Sequence, residues 1–138
     1  GDDASDMILE MDIEGAEYDV IFDTPSETLN RFRIIVIEFH NLEALLDKYG
    51  YRLINLAFRK IQKDFEIVHI HPNSHSRRVN YKGYVIPSAM EFTFLRKDRI
   101  SRREFTCTFP HKLDSNNISS DLEFSLPRCW YSDLTNPS

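Results

Sequence analysis

Seven residues able to do acid–base or ligand chemistry stand where apolar runs of the chain end or are interrupted. Asp12 and Glu14 close the run 7–13, Glu38 and His40 close the run 33–39, and His71, with Asn73 just beyond, closes the run 66–71. Glu91 sits inside the apolar run 89–96. An ionisable group beside a buried strand is costly unless it has a partner or a role. Carboxylates and imidazoles in one place support two chemistries. They can bind a divalent cation such as Mg, Mn or Zn, with Asp12, Glu38, His40 and His71 as candidate ligands. They can equally form a base with an orienting acid that deprotonates a hydroxyl. Spacing leaves both open. Plainer roles stand beside them: Asp12 capping the next helix with Glu17 decorating its first turn, Glu38 paired with Arg33 or Arg31, and His40, His69 or Glu91 as structural or edge residues.

These residues need elements to hold them. Met7-Ile8-Leu9-Glu10-Met11-Asp12-Ile13, ending before Gly15, reads as a buried strand. Residues 16–23 have helical spacing, and Thr24-Pro25-Ser26 breaks it before a short helical turn. Arg33-Ile34-Ile35-Val36-Ile37-Glu38-Phe39 is apolar on both faces, which predicts an interior strand covered by helices on both sides. After Asn41, a candidate N-cap, apolar residues from Leu42 to Phe65 recur at helical spacing with an interruption at Gly50; Tyr49, Tyr51, Phe58 and Phe65 are expected in the core. Residues 66–71 return to strand and Pro72-Asn73-Ser74 stops it. A polar loop with Arg77, Arg78 and Gly83 follows, then a strand over 89–96 that pairs with its predecessor, then loops beyond Asp98. Alternating strands and helices predict an open, mostly parallel α/β sheet. Ligands of such sheets sit outside the carboxyl ends of the strands, where the acids and imidazoles converge.

Composition narrows the function classes. The 138 residues carry 17 Lys+Arg against 22 Asp+Glu, a net charge of −5, which disfavours a phosphate-backbone partner, so no nucleic acid is expected. The basic run Arg96, Lys97, Arg99, Arg102, Arg103 is then a solvated face. Hydrophobic residues are 41 % and charged residues 28 %, the balance of a folded domain. Four scattered glycines, Gly1, Gly15, Gly50 and Gly83, exclude a glycine-rich phosphate loop in this chain. Cys107 and Cys129 are too far apart for a CxxC motif and read as plain thiols. No apolar stretch approaches bilayer length and the start of the chain is acidic, so no membrane partner and a cytoplasmic location are expected.

Asp12-Ile13-Glu14-Gly15-Ala16-Glu17 resembles the "D-[IV]-E-G-[AS]-E" signature of FkbM-type S-adenosylmethionine-dependent methyltransferases. The resemblance continues through Ile37-Glu38-Phe39-His40 and Val68-His69-Ile70-His71-Pro72-Asn73, with Ser74 where the pattern has a second Asn. It runs on through Ile86-Pro87 and Glu91-Phe92-Thr93-Phe94, and loosely through Leu113-Asp114, Asn117 and Leu126-Pro127. It implies a partial Rossmann-like methyltransferase sheet, with parallel strands and an antiparallel strand inserted near the C-terminal end. Residues 1–98 would be the C-terminal half of that domain and 99–138 an irregular extension packed on it. It implies O-methyl transfer from S-adenosylmethionine to a sugar or small-metabolite hydroxyl. Asp12 would lie at the cofactor's methyl, with Glu14, Glu38, His40 and His71 catalytic and Asn73 and Glu91 against the acceptor. The cofactor's glycine-rich loop would belong to a missing N-terminal half, so the isolated chain would be inactive. Other readings are a non-catalytic remnant or binding module that recruits that half or a second copy through the strand 7–13 edge, and a metal-dependent hydrolase built on the same cluster.

Overall fold

In the computed structural model, residues 6–104 are described, together with His111, Asp114, Leu126, Pro127 and Trp130. Cys107, Cys129, Leu113 and Asn117 lie outside the described residues. Four strands form the main sheet: β1 (Met7–Met11), β2 (Phe32–Phe39), β3 (Phe65–Pro72) and β6 (Met90–Arg96). Their order is β1-β2-β6-β3, with β1 parallel to β2 and β6 antiparallel to both neighbours. β1, β2 and β3 therefore run one way and β6 runs against them. The sheet is mixed, and β6 enters between β2 and β3 instead of lying at an edge, so its two flanks are both paired.

Between β1 and β2 lie α1 (Glu17–Asp23) and α2 (Ser26–Leu29); between β2 and β3 lie a 3₁₀ turn over Leu42–Leu46 and α3 (Lys48–Gln62). Ile21 of α1 and Ile54, Ala57 and Ile61 of α3 are buried with Ile35, Ile37 and Phe39 of β2. The described helices thus cover one face. On the other face Ile34, Val36 and Glu38 are half-buried, which corrects the expectation of helices on both sides of β2. At the centre Phe39 is fully buried, with ring centroids 5.4 Å from Tyr18, 4.6 Å from Phe58 and 5.7 Å from Phe92. Such aromatic pairs add about 0.5–1.5 kcal/mol each beyond the burial of their area.

Several boundaries depart from the sequence reading. Asn41 adopts φ 58° and caps nothing with its side chain; Asp47 caps α3 instead, accepting from Tyr49 N at 2.8 Å and Gly50 N at 2.9 Å. Gly50 does not interrupt the helix. It lies in the first turn, where a Cβ would stand 2.6 Å from Ala44 Cβ and closer still to the Ala44 carbonyl oxygen. With Ile54, Ala57 and Ile61 facing the sheet, the 100° step per residue turns Tyr49, Leu53 and Leu56 outward. Tyr49 is 75 % exposed, and with exposed Tyr51 it leaves the expected core. The segment expected as a polar loop is a hairpin of β4 (Arg78–Tyr81) and β5 (Tyr84–Pro87). Arg96 is not on a solvated face: it is buried, donating to Asn30 O at 2.5 Å and Phe32 O at 3.2 Å and pairing with Asp98 at 2.7 Å. Gly50→Ala is expected to lower stability by about 1–3 kcal/mol through overpacking against Ala44. Urea unfolding checks this, and an unchanged midpoint would contradict the tight approach.

Candidate functional site

The carboxyl ends of β1, β2 and β3 and the amino end of β6 meet at one sheet edge, and the cluster there is built around His40. After Met11 the chain turns sharply into α1, with Glu14 at φ 57° and Gly15 at φ 107°. A positive φ is cheap only for glycine, so the turn is held in place by its surroundings. Its holder is Glu17, which is 0 % exposed. Glu17 Oε1 accepts from Gly15 N at 3.0 Å and from Ile13 N at 3.3 Å, and lies 2.9 Å from His40 Nδ1. A buried carboxylate needs such donors, because desolvation penalises its charge. Its second oxygen, Oε2, is buried without a partner among the described residues.

His40, one residue past β2, carries the other side of the pair. With Nδ1 donating to Glu17, Nε2 faces Glu14 Oε2 at 3.5 Å, Asp12 Oδ1 at 3.9 Å and Glu38 Oε2 at 4.0 Å. Tyr18 O–H donates to the His40 carbonyl at 2.9 Å. Burial of the His40 ring pulls its pKa down, but the hydrogen bond and charge of Glu17, with the charges of Glu38 and Glu14, outweigh it and hold the ring above its ordinary 6.5. Burial likewise pushes Glu17 up. The backbone N–H donors and His40 together outweigh that push and hold it below its ordinary 4.5. Burial, then the charges of Glu17 and Glu43, push the Tyr18 phenol up, so it stays a donor.

A second row crosses the sheet beside this cluster. Glu38 on β2 is directly opposite Glu91 on β6, and Glu91 is directly opposite His71 on β3. Asn73 Nδ2 donates to Glu38 Oε1 at 2.7 Å, and Asn73 Oδ1 accepts from His75 N at 2.9 Å. Glu38 is therefore engaged by Asn73 and His40 rather than by Arg33 or Arg31. The structure gathers Asp12, Glu14, Glu38 and His40 at one centre, adds Asn73 to it through Glu38, and places Glu91 and His71 in the adjoining row. His71 itself faces elsewhere, with Nδ1 3.6 Å from Asp114 Oδ2.

Two side chains escaped the sequence reading. By position alone Glu17 decorates a helix turn; the sequence signal for its role is its place in the "D-I-E-G-A-E" stretch. Asp114 had only a loose resemblance behind it, yet lies 2.9 Å from His69 Nε2. Among the described residues two groups of three offer ligand atoms within 4.8 Å of one another: Asp12, Glu17 and His40, and His69, His71 and Asp114. In the first, the inward oxygen of Glu17 is already taken by its N–H and imidazole partners.

A mixed α/β sheet thus carries a carboxylate–imidazole cluster at its edge, and comparison with known families bears on the segment that builds it. Residues 3–53 match the family model described as the Methyltransferase FkbM domain, so that segment is similar to an FkbM methyltransferase domain. The match takes in Asp12, Glu14, Glu17, Glu38 and His40 and ends within α3. No curated protein and no solved structure matches the chain. Among the described residues no helix is long and apolar enough to cross a membrane.

The turn at Gly15 is poorly suited to cradle the nucleoside of S-adenosylmethionine, the cofactor methyltransferases use. Gly15 is the one glycine near the cluster; its N–H is committed to Glu17, and the space beside its Cα is closed by Asn41 Nδ2, 3.1 Å from where a Cβ would stand.

The Glu17–His40 pair has a defined pH window. Glu17, lowered below 4.5, contributes stability that is present above 4.5 and lost as pH falls through its lowered value. His40, raised above 6.5, contributes stability that is present below 6.5 and lost as pH rises through its raised value. Both contributions are complete between 4.5 and 6.5. NMR titration is expected to place the His40 midpoint above 6.5 in the wild type and lower in Glu17→Gln. A wild-type midpoint at or below 6.5, unmoved by the substitution, would contradict the pairing.

Proposed function

We propose that this chain carries the acceptor side of a Rossmann-like, S-adenosylmethionine-dependent O-methyltransferase that acts on a sugar or small-metabolite hydroxyl. Residues 1–98 form the half-domain bearing the site and 99–138 its extension; the glycine-rich cofactor loop is supplied by a segment other than these residues. The observation that carries the reading is the Glu17–His40 pair inside the stretch that matches the methyltransferase family. Glu17 holds the Nδ1–H form of the ring, which leaves Nε2 as the nitrogen that accepts a proton. A base fixed in this way suits removal of a proton from a hydroxyl, provided the acceptor oxygen reaches hydrogen-bonding distance of Nε2. Asp12 and Glu14, at the rim, orient the acceptor's other hydroxyls and favour the protonated ring once it forms. Glu38 and Asn73 buttress the floor, and Glu91 lines its far side; His71, turned toward Asp114, leaves the acceptor site.

A second reading has a specific observation behind it. β1 pairs with β2 on one side only among the described residues, and Ile8 on it is 66 % exposed. An exposed apolar edge strand is a pairing template. In that reading the chain recruits a second copy, or the half carrying the cofactor loop, through β1.

Two measurements test the proposal. Calorimetry with S-adenosylmethionine is expected to show no micromolar binding by the 138-residue chain. Micromolar binding would overturn the assignment of the cofactor loop to another segment. Saturation-transfer NMR against a panel of sugars and hydroxylated metabolites is expected to find ligands that lose their signal in His40→Gln and Asp12→Asn. A panel without a ligand, together with concentration-dependent dimers abolished by Ile8→Lys, would favour the edge-pairing reading instead.

A further inference from the structure

His69, His71 and Asp114 are not used by the acceptor-side chemistry, yet they converge. His69 and His71 lie two residues apart on β3, past the irregularity in register between Ile67 and His69, and so share one sheet face. Asp114 stands over them, with Oδ1 2.9 Å from His69 Nε2 and Oδ2 3.6 Å from His71 Nδ1. All three residues are half-buried. Among the described residues His71 Nδ1 is buried without a hydrogen-bond partner, 3.6 Å being too long for one. A buried ring nitrogen aimed at a carboxylate oxygen across a gap is expensive unless something fills the gap.

We infer that His69 Nε2, His71 Nδ1 and the Asp114 carboxylate form a binding site for a transition-metal divalent cation, Zn²⁺ fitting best. Two imidazoles and a carboxylate suit Zn²⁺ in kind, and a tetrahedral centre with metal–nitrogen bonds of about 2.0–2.1 Å sets neighbouring donor atoms about 3.3 Å apart. The two carboxylate–imidazole separations, 2.9 and 3.6 Å, bracket that value. The Asp114 carboxylate is held in orientation by His111 N–H, which donates to Oδ2 at 2.7 Å. Glu91, opposite His71 on β6, keeps the surroundings negative. Three protein donors leave a fourth position for water or a ligand oxygen. His69 also lines an open groove of about 530 Å³ with Ile67, Phe92, Arg103 and Trp130, which provides an entry path. The Asp12–Glu17–His40 group is the poorer competitor, because Glu17 Oε1 already serves two backbone donors and the His40 ring.

The test is titration of Zn²⁺ into the whole chain against a chromophoric chelator, with Co²⁺ substituted to report the donor atoms. One ion per chain is expected, with a Co²⁺ spectrum of tetrahedral nitrogen and oxygen donors and no thiolate charge-transfer band from Cys107 or Cys129. His71→Gln and Asp114→Asn are each expected to weaken Zn²⁺ by more than the roughly 10–100-fold that loss of an outer-sphere partner costs. His75→Gln, off the cluster, leaves affinity unchanged. Failure to take Zn²⁺ from the chelator, a thiolate band, full affinity in both cluster variants, or a loss in His40→Gln without one in His71→Gln would each overturn the site. The wild-type Co²⁺ spectrum decides the matter if a variant does not fold.

Discussion

A carboxylate with no solvent exposure, Glu17, is the constraint on which the sheet edge depends. Leaving it charged requires donors. The chain supplies them from two directions: the backbone of the turn it has just left, at Ile13 and Gly15, and the imidazole at the end of β2. The strained turn after β1, the start of α1 and the end of β2 are thereby tied to one atom. Removal of one member of such a buried pair leaves the other uncompensated, which costs about 3–5 kcal/mol in general. The pair is better understood as a specification of geometry than as a net source of stability.

The inserted strand does for the other half of the edge what Glu17 does for the first. Because β6 runs against β2 and β3, its amino end arrives where their carboxyl ends finish. Glu91 consequently sits between Glu38 and His71 in one cross-strand row. A purely parallel sheet would have brought a loop to that place. Like charges directly opposite each other destabilise a sheet, so Glu38 beside Glu91 is tolerated only with help, and Asn73 donates to Glu38 at 2.7 Å. The same insertion leaves His69 and His71 on the face where Asp114 approaches.

The strands and the converging edge were legible in the sequence because apolar runs and their terminal acids are local signals. The run 33–39 became β2 and 89–96 became β6, and the FkbM resemblance at Asp12–Glu17 is matched by the family comparison over residues 3–53. What was not legible depends on tertiary placement. The outward stripe Tyr49, Leu53, Leu56 has the same spacing as a core stripe, and only the orientation of α3 against β2 decides between them. Gly50 has the composition of a helix break, yet serves close packing against Ala44. Glu17 looks like a solvated first-turn acid until the turn before it is known to need an acceptor. Asp114 is separated from His71 by more than forty residues of sequence, so no spacing rule could have joined them.

Glu17 and His40 act as one unit that shapes the site. A double-mutant cycle with Glu17→Gln, His40→Gln and the double variant, read by urea unfolding at a pH between 4.5 and 6.5, tests it most directly. Coupling of about 0.5–3 kcal/mol, with the double variant less destabilised than the sum of the single ones, is the predicted result. Strict additivity of the two substitutions would contradict it.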